Sequence, residues 1–271
     1  MAPIKLFYLR RSNEKINFGD ELSPNLLEYV TTKQVVWAPI ASCDVVGLGS
    51  ILSKACTAKQ FANYTMRRLL QGKEKQIVWG SGFIKETGPE ATRHLDFRLV
   101  RGPRTSGLLK RKGLPFGDPG LLAADIAPRS KRKKYSLGII PHFVDAQSSV
   151  VTHLQNVVRH STIISVEEEP ISVLKKISEC DFIISSSLHG LIVADSYNIP
   201  NLRMRLSDKI IGGDFKFLDY GGSIGRNNIA AISLQSIFDG IQLDVLFEQE
   251  QTYMDNIDTA KTGIISSIKD L

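Results

Sequence analysis

Cysteine is scarce and unpatterned: Cys43, Cys56 and Cys180 are the only three, and no two stand in a CxxC spacing. That argues against a disulfide framework or a zinc site and leaves thiols suited to a reducing compartment. Long apolar runs are missing too, so a membrane-spanning helix is not expected. The amino-terminal MAPIKLFYLRRSNEK places its charges after a short apolar strand rather than before a signal-type core, so a cytoplasmic location is expected. There is no aromatic-interleaved basic stripe, zinc-finger spacing or RNP-like segment, which argues against nucleic acid as a partner. No His/Asp/Cys cluster suggests a metal. Fixed-period repeats and low-complexity segments are lacking as well.

What is present is ordinary for a soluble globular protein: 42% hydrophobic and 23% charged residues. A length of 271 residues suits two domains, each with its own core. The net charge of +6 favours acidic ligands or an anionic membrane surface. Part of it sits in RSKRKK, Arg129 to Lys134, which reads as a solvated hinge between halves; a patch for lipid phosphate or polyphosphate is the sharper alternative.

Short runs rich in Val, Ile and aromatics, at IKLFYL, QVVWAPI, CDVVGLGSIL, KQIVWGSGF and FRLVRG, read as strands of a first half. Helices fall between them: SPNLLEYV opens on Ser23 and Pro24, and PRTSGLLKRKG runs from Pro103 to Gly113. After the basic hinge the alternation restarts with SLGIIPHF, SSVVTHLQNVVRH, STIISV, PISVLKKISEC, DFIISS, HGLIVADSYN and NLRMRL. Strand-helix alternation predicts parallel sheets with helices on their faces. The expected organisation is an α/β protein of two doubly wound domains, 1–132 and 133–242, with a C-terminal helical extension over 243–271. In that extension Met254, Ile257, Ile264 and Ile268 recur at helical spacing, which predicts a helix packed on the body.

In an open parallel sheet, ligands bind beyond the carboxyl ends of the strands. Gly47, Gly49 and Ser50, and Gly80, Ser81 and Gly82, follow apolar strands where backbone amides can approach an anion, although turn glycines are common. Arg101 ends a strand just before the Pro103 helix, so a guanidinium and a helix start would face one phosphate or carboxylate; alternatively Arg101 pairs with a neighbouring side chain. Asp118, in FGDPG, reads as a turn residue. His189, between Ser185, Ser186, Ser187 and Gly190, is the most informative titratable residue, placed where an imidazole can take or give a proton. His142 ranks second, and His94, His153 and His160 read as solvated or satisfied. Downstream, Arg203, Arg205, Lys209, Lys216 and Arg226 lie in a segment read as a cationic loop, suited to an acidic substrate or simply solvated. Asn17 and Asp20 precede Ser23, where Asp20 could bind a sugar hydroxyl or steady a helix start.

Taken in order, NFGDELSPNLL, GLGSIL, VWGSGF, VRGPRTSGLL, GDPGLL, SSSLHGLIVADSYNIPN and LSDKIIGGDFKFLDYGGSIGR resemble the polysaccharide pyruvyl transferase family up to about Arg226. The resemblance implies two Rossmann-like domains in a GT-B-like arrangement with the active site in the cleft between them. It implies transfer of pyruvate from phosphoenolpyruvate to a hexose of a polysaccharide precursor, usually lipid-linked, forming a ketal and releasing phosphate. Phosphoenolpyruvate is then a co-substrate, no other cofactor is required, and peripheral contact with the inner face of the membrane is permitted. His189 becomes the catalytic residue; Arg101, Ser187, Leu188, Lys209, Lys216 and Arg226 bind the donor, and Asn17 and Asp20 the acceptor. One departure stands out: many members carry an arginine two residues before the histidine, where this chain has Ser187, which leaves Lys209, Lys216 or Arg226 to supply the charge. A nucleotide-sugar glycosyltransferase of GT-B type, or a non-catalytic module for anionic glycan or lipid phosphate, would share such a basic cleft.

Overall fold

In a computed structural model the chain is described at residues 2–11, 16–72, 74–226, 229, 231–232 and 253–271. Two parallel sheets carry the fold. The first has five strands, β1 (Ile4–Phe7), β2 (Val35–Trp37), β3 (Val45–Val46), β4 (Gln76–Ser81) and β5 (Leu95–Val100), in the order β2-β1-β3-β4-β5. The second has β6 (Tyr135–Ile140), β7 (Ser161–Ile163), β8 (Cys180–Ser185) and β9 (Asn201–Arg203), in the order β7-β6-β8-β9. Each sheet starts from an inner strand and then reverses direction, so each has a switch point, at β1/β3 and at β6/β8, where a crevice opens beyond the strand ends.

Alternation of side chains along the strands covers both faces. Ile77 and Trp79 enter one core while Val78 enters another; Ile183 and Ile184 divide in the same way. The largest core takes residues from both sheets, among them Val45, Trp79, Ile140 and Ile183, so the halves share apolar packing. The helices start where proline makes a lost N–H harmless: α2 (Ser23–Thr31) at Pro24, α5 (Pro103–Leu109) at Pro103, α8 (Pro170–Ser178) at Pro170. A short helix, α1 (Phe18–Glu21), leans on the second half, its Phe18 N–H donating to Val166 O. Further helices are α3 (Leu52–Ala55), α6 (Ala123–Ile126), α7 (Ser149–Val157) and α9 (Leu188–Ser196), the last of them buried along its whole length.

The C-terminal helix (Ile257–Ser266) packs through Ile257 and Ile264, and the buried Trp79 donates its indole N–H to Ile264 O. Residues 243–252 of the expected extension lie outside the described residues. The basic run is largely exposed, as expected of a solvated hinge; Lys133 Nζ donates to Ser178 O at 3.0 Å and Lys134 pairs with Glu179. All three cysteines are buried thiols, and burial pushes Cys56 and Cys180 up to about 12. Among the described residues no helix is long and apolar enough to cross a membrane.

Two elements differ from expectation. The segment read as one cationic loop is half helix: α10 (Phe215–Ile224) forms despite Gly221 and Gly222. Packing decides this, because a β-carbon on Gly222 would stand 2.6 Å from Pro103 Cγ, and only a bare backbone lets α10 reach α5. The other is α4 (Ala58–Gln71), fourteen residues without an apolar stripe facing inward; Tyr64 is its one buried residue.

Candidate active site

The site is built at the carboxyl edges of the two sheets. Strand β8 ends in Ser185, whose hydroxyl donates to Ile140 O and accepts from Ser187 N–H at 3.0 Å, fixing the bend into α9. Ser187 is the residue before the first helical turn, and Leu188 and His189 follow, all three nearly buried. Two residues beyond the end of the neighbouring strand β6 stands His142, whose N–H donates to Ser186 Oγ at 2.8 Å. Two histidines therefore stand side by side at the second sheet's switch point.

The imidazole of His189 is 9% exposed, and its Nε2 has no hydrogen-bond partner among the described residues. Phe18 meets the ring edge-on, with centroids 6.4 Å apart, and Gly19 lies against Nδ1. Burial, then the charges of Lys216, Arg101 and His142, push the imidazole down to about 3, so it is neutral near pH 7. His142 is pushed down to about 4 by burial, Lys216 and Arg11.

Lys216, in the first turn of α10, is the nearly buried ammonium of the site. Burial, with Arg101 and Arg203 adding, lowers it to about 8, and Asp20 opposes the shift. Asp20 itself is pushed up to about 7, chiefly by burial; Lys216 works against this and Glu21 and Asp118 add to it. Its Oδ2 accepts from Asn17 Nδ2 at 2.8 Å, and its Oδ1 would stand 2.8 Å from a β-carbon on Gly49. Asp118, fully buried, is raised to about 6 by burial, opposed by the Gly120 N–H and Arg101, and its Oδ2 has no partner among the described residues. A neutral base, an ammonium and two carboxyls near their midpoints make an arrangement that can hold an anion and move a proton.

Arg101 is present but already engaged. Its side chain is 0% exposed; Nε donates to Asp219 Oδ2 at 3.0 Å, Nη1 to Ser50 Oγ at 2.7 Å and Nη2 to Phe83 O at 2.6 Å. Asp219 also accepts from the Thr105 N–H at 2.8 Å and its hydroxyl at 2.6 Å. The anion at the start of the Pro103 helix is thus the protein's own carboxylate, 118 residues from Arg101 in sequence, and not an open phosphate seat. Of a guanidinium's five N–H groups, two remain beyond these three bonds.

His189, Ser187, Leu188, Lys216, Arg101, Asn17 and Asp20 are brought to one region. Lys209 is not: it is exposed on the loop after β9, at a cavity of about 310 Å³ that Arg203, Arg205, Ser207 and Phe217 also line. Arg226 is 3% exposed below, donating to Asn201 Oδ1 and O at 2.7 and 2.8 Å, with Asp195 3.9 Å away and Tyr253 under its guanidinium. Asp118 and Asp219 gave no functional signal in the sequence, since one reads as a turn and the other sits in a glycine-rich helix.

These features define an α/β protein with a cluster of buried titratable and cationic side chains where two parallel sheets end. The family model for polysaccharide pyruvyl transferase matches residues 3–207, and the chain belongs to that family. It is 28% identical over 217 residues to succinoglycan biosynthesis protein ExoV of Rhizobium meliloti, covering 77% of this chain and 62% of that protein. It is 24% identical over 231 residues to uncharacterized protein L143 of Acanthamoeba polyphaga mimivirus, covering 80% of this chain and 74% of the relative.

Proposed function

We propose that the protein transfers pyruvate from phosphoenolpyruvate to a hexose of a polysaccharide precursor, closing a ketal on two hydroxyls and releasing phosphate. The two sheets then serve as Rossmann-like domains facing each other in a GT-B-like manner. The observation that carries this reading is His189: a neutral imidazole whose Nε2 has no partner among the described residues, in the field of the buried Lys216 ammonium, with Gly19, the neighbour of the raised carboxyl Asp20, against its ring. Family membership and the match to a succinoglycan biosynthesis protein support it.

Phosphoenolpyruvate is a compact multiple anion. Lys216 supplies the charge that Ser187 does not, and the buried Arg101 adds its own, with the N–H of Leu188 as a further donor. The bound anion raises the proton affinity of His189, reversing the effect of the surrounding cations. A proton passes to the methylene carbon of the donor, making its methyl group. The adjacent carbon becomes electrophilic, and one sugar hydroxyl attacks it as its proton leaves. Phosphate departs with the bridging oxygen, and the second hydroxyl loses its proton in closing the ring. His189 Nε2 carries a proton in these exchanges, and Asp20, held by Asn17, meets the acceptor hydroxyls. A cavity of about 380 Å³ beside α1, lined by Arg10, Arg11, Glu21, Asn25 and Glu169, offers the polar groups that sugar hydroxyls need.

Two measurements test this. Phosphoenolpyruvate, and not nucleotide sugars, is expected to raise the melting temperature. His189→Gln is expected to lose pyruvate incorporation with the fold intact; stabilisation by nucleotide sugars alone would favour glycosyl transfer instead.

A further inference from the structure

We infer that helix α4 is a docking face for an anionic lipid surface. The helix opens on Thr57, whose hydroxyl accepts from Gln60 N–H, and runs fourteen residues along the edge of the first half. Met66, Leu69 and Leu70 are 59, 79 and 74% exposed. At spacings of three and four they share one face, and three adjacent large apolar side chains in water differ from the scattered single exposures of any surface.

The charge along this segment is mainly positive. Residues 58–75 hold Lys59, Arg67, Arg68, Lys73 and Lys75 against Glu74 alone. Arg67 donates to Ala41 O and Arg68 to the Tyr64 hydroxyl, both neutral oxygens, so these contacts leave the two charges uncancelled. Beside the apolar end a shallow cavity of about 570 Å³ brings Arg68 and Lys75 together with Glu74, while the Arg98 that also lines it is paired to Asp96 and Asp270, so the positive charge facing out there is that of Arg68 and Lys75. An exposed apolar face rimmed by Lys and Arg, on a helix of low overall hydrophobicity, is the pattern of a helix lying in a bilayer interface. Anionic headgroups meet the cations while the Met and Leu side chains enter the acyl boundary.

The topology fits this occupant. Helix α4 links the parallel neighbours β3 and β4, so it runs antiparallel to the strands. Lying flat on a membrane, it would keep the strands parallel to the surface, with their carboxyl edges opening sideways along it. The inference is independent of the pyruvyl-transfer reading, because lipid binding is measured without substrate.

The test is flotation of the full chain with vesicles of phosphatidylcholine alone and with about one-third phosphatidylglycerol. The expected result is binding to the anionic vesicles only, falling with salt. A Met66→Ser, Leu69→Ser, Leu70→Ser variant and an Arg68→Gln, Lys75→Gln variant should each bind roughly tenfold more weakly or worse, with unchanged circular dichroism and melting temperature. As a second readout, Leu70→Trp should shift its fluorescence to the blue on anionic vesicles. Absence of binding, binding unchanged in the serine variant, or no blue shift would overturn the inference. So would a wild-type dimer that becomes monomeric in the serine variant, since a second copy would then be the occupant.

Discussion

Gly19 lies against the imidazole of His189 so closely that a β-carbon added to it would stand 1.9 Å from Nδ1. One residue of a four-residue helix in the first half thus sets the position of the proposed proton carrier in the second. Gly19→Ala should displace the ring, lowering kcat by a hundredfold or more, while costing only about 1–3 kcal/mol of stability. Steady-state kinetics beside thermal melts check this; near-normal turnover would show that the ring position is unimportant.

Lys216 contributes the largest charge effect on His189. Lys216→Met should therefore raise the imidazole above its present value of about 3 in an NMR titration, and raise the KM for phosphoenolpyruvate by roughly tenfold or more. An unmoved titration and an unchanged KM would remove Lys216 from the site.

Donor binding should weaken as the pH rises. Asp20 gains a negative charge around pH 7 and Lys216 loses its positive one around pH 8, so both changes oppose an incoming anion. The predicted kcat/KM for phosphoenolpyruvate falls across this interval, and Asp20→Asn removes the lower of the two limbs.

The same carboxyl makes a stability prediction. Asp20 keeps its proton up to about pH 7 in the folded chain, against a reference value of 3.8. Between these values folding takes up a proton, so its contribution to stability falls as pH rises from about 4 to about 7 and is level above. Asp20→Asn should stabilise the protein by roughly 2–4 kcal/mol at pH 8 and leave it unchanged below pH 4.

Asp219 is the counter-charge of an arginine with no access to water. Asp219→Ala should cost about 3–5 kcal/mol in denaturant unfolding, because Arg101 is left charged and unpaired. Asp219→Asn should cost less, since its amide oxygen still accepts from Thr105.

The alternation of strands and helices was legible because β-branched runs and the prolines at 24, 103 and 170 mark element starts through local chemistry. His189 was legible for a related reason: hydroxyls clustered after an apolar strand signal a turn at the ligand edge. The undetected features depend on distance in sequence. Helix α4 buries one side chain and turns its apolar residues outward, so its pattern marks no core, and α10 tolerates Gly222 only because Pro103 is there to meet it. The occupation of the Pro103 helix start by Asp219, and the engagement of Arg226 with Asn201, follow from tertiary pairing that no local pattern encodes.

The most direct test of the central claim is to incubate the protein with phosphoenolpyruvate and a panel of galactose- and mannose-containing acceptors, following phosphate release and the product's proton NMR spectrum. The account predicts stoichiometric phosphate and a new methyl resonance from a ketal-linked pyruvate, both absent with His189→Gln. Phosphate release and a methyl product undiminished by that substitution would contradict it.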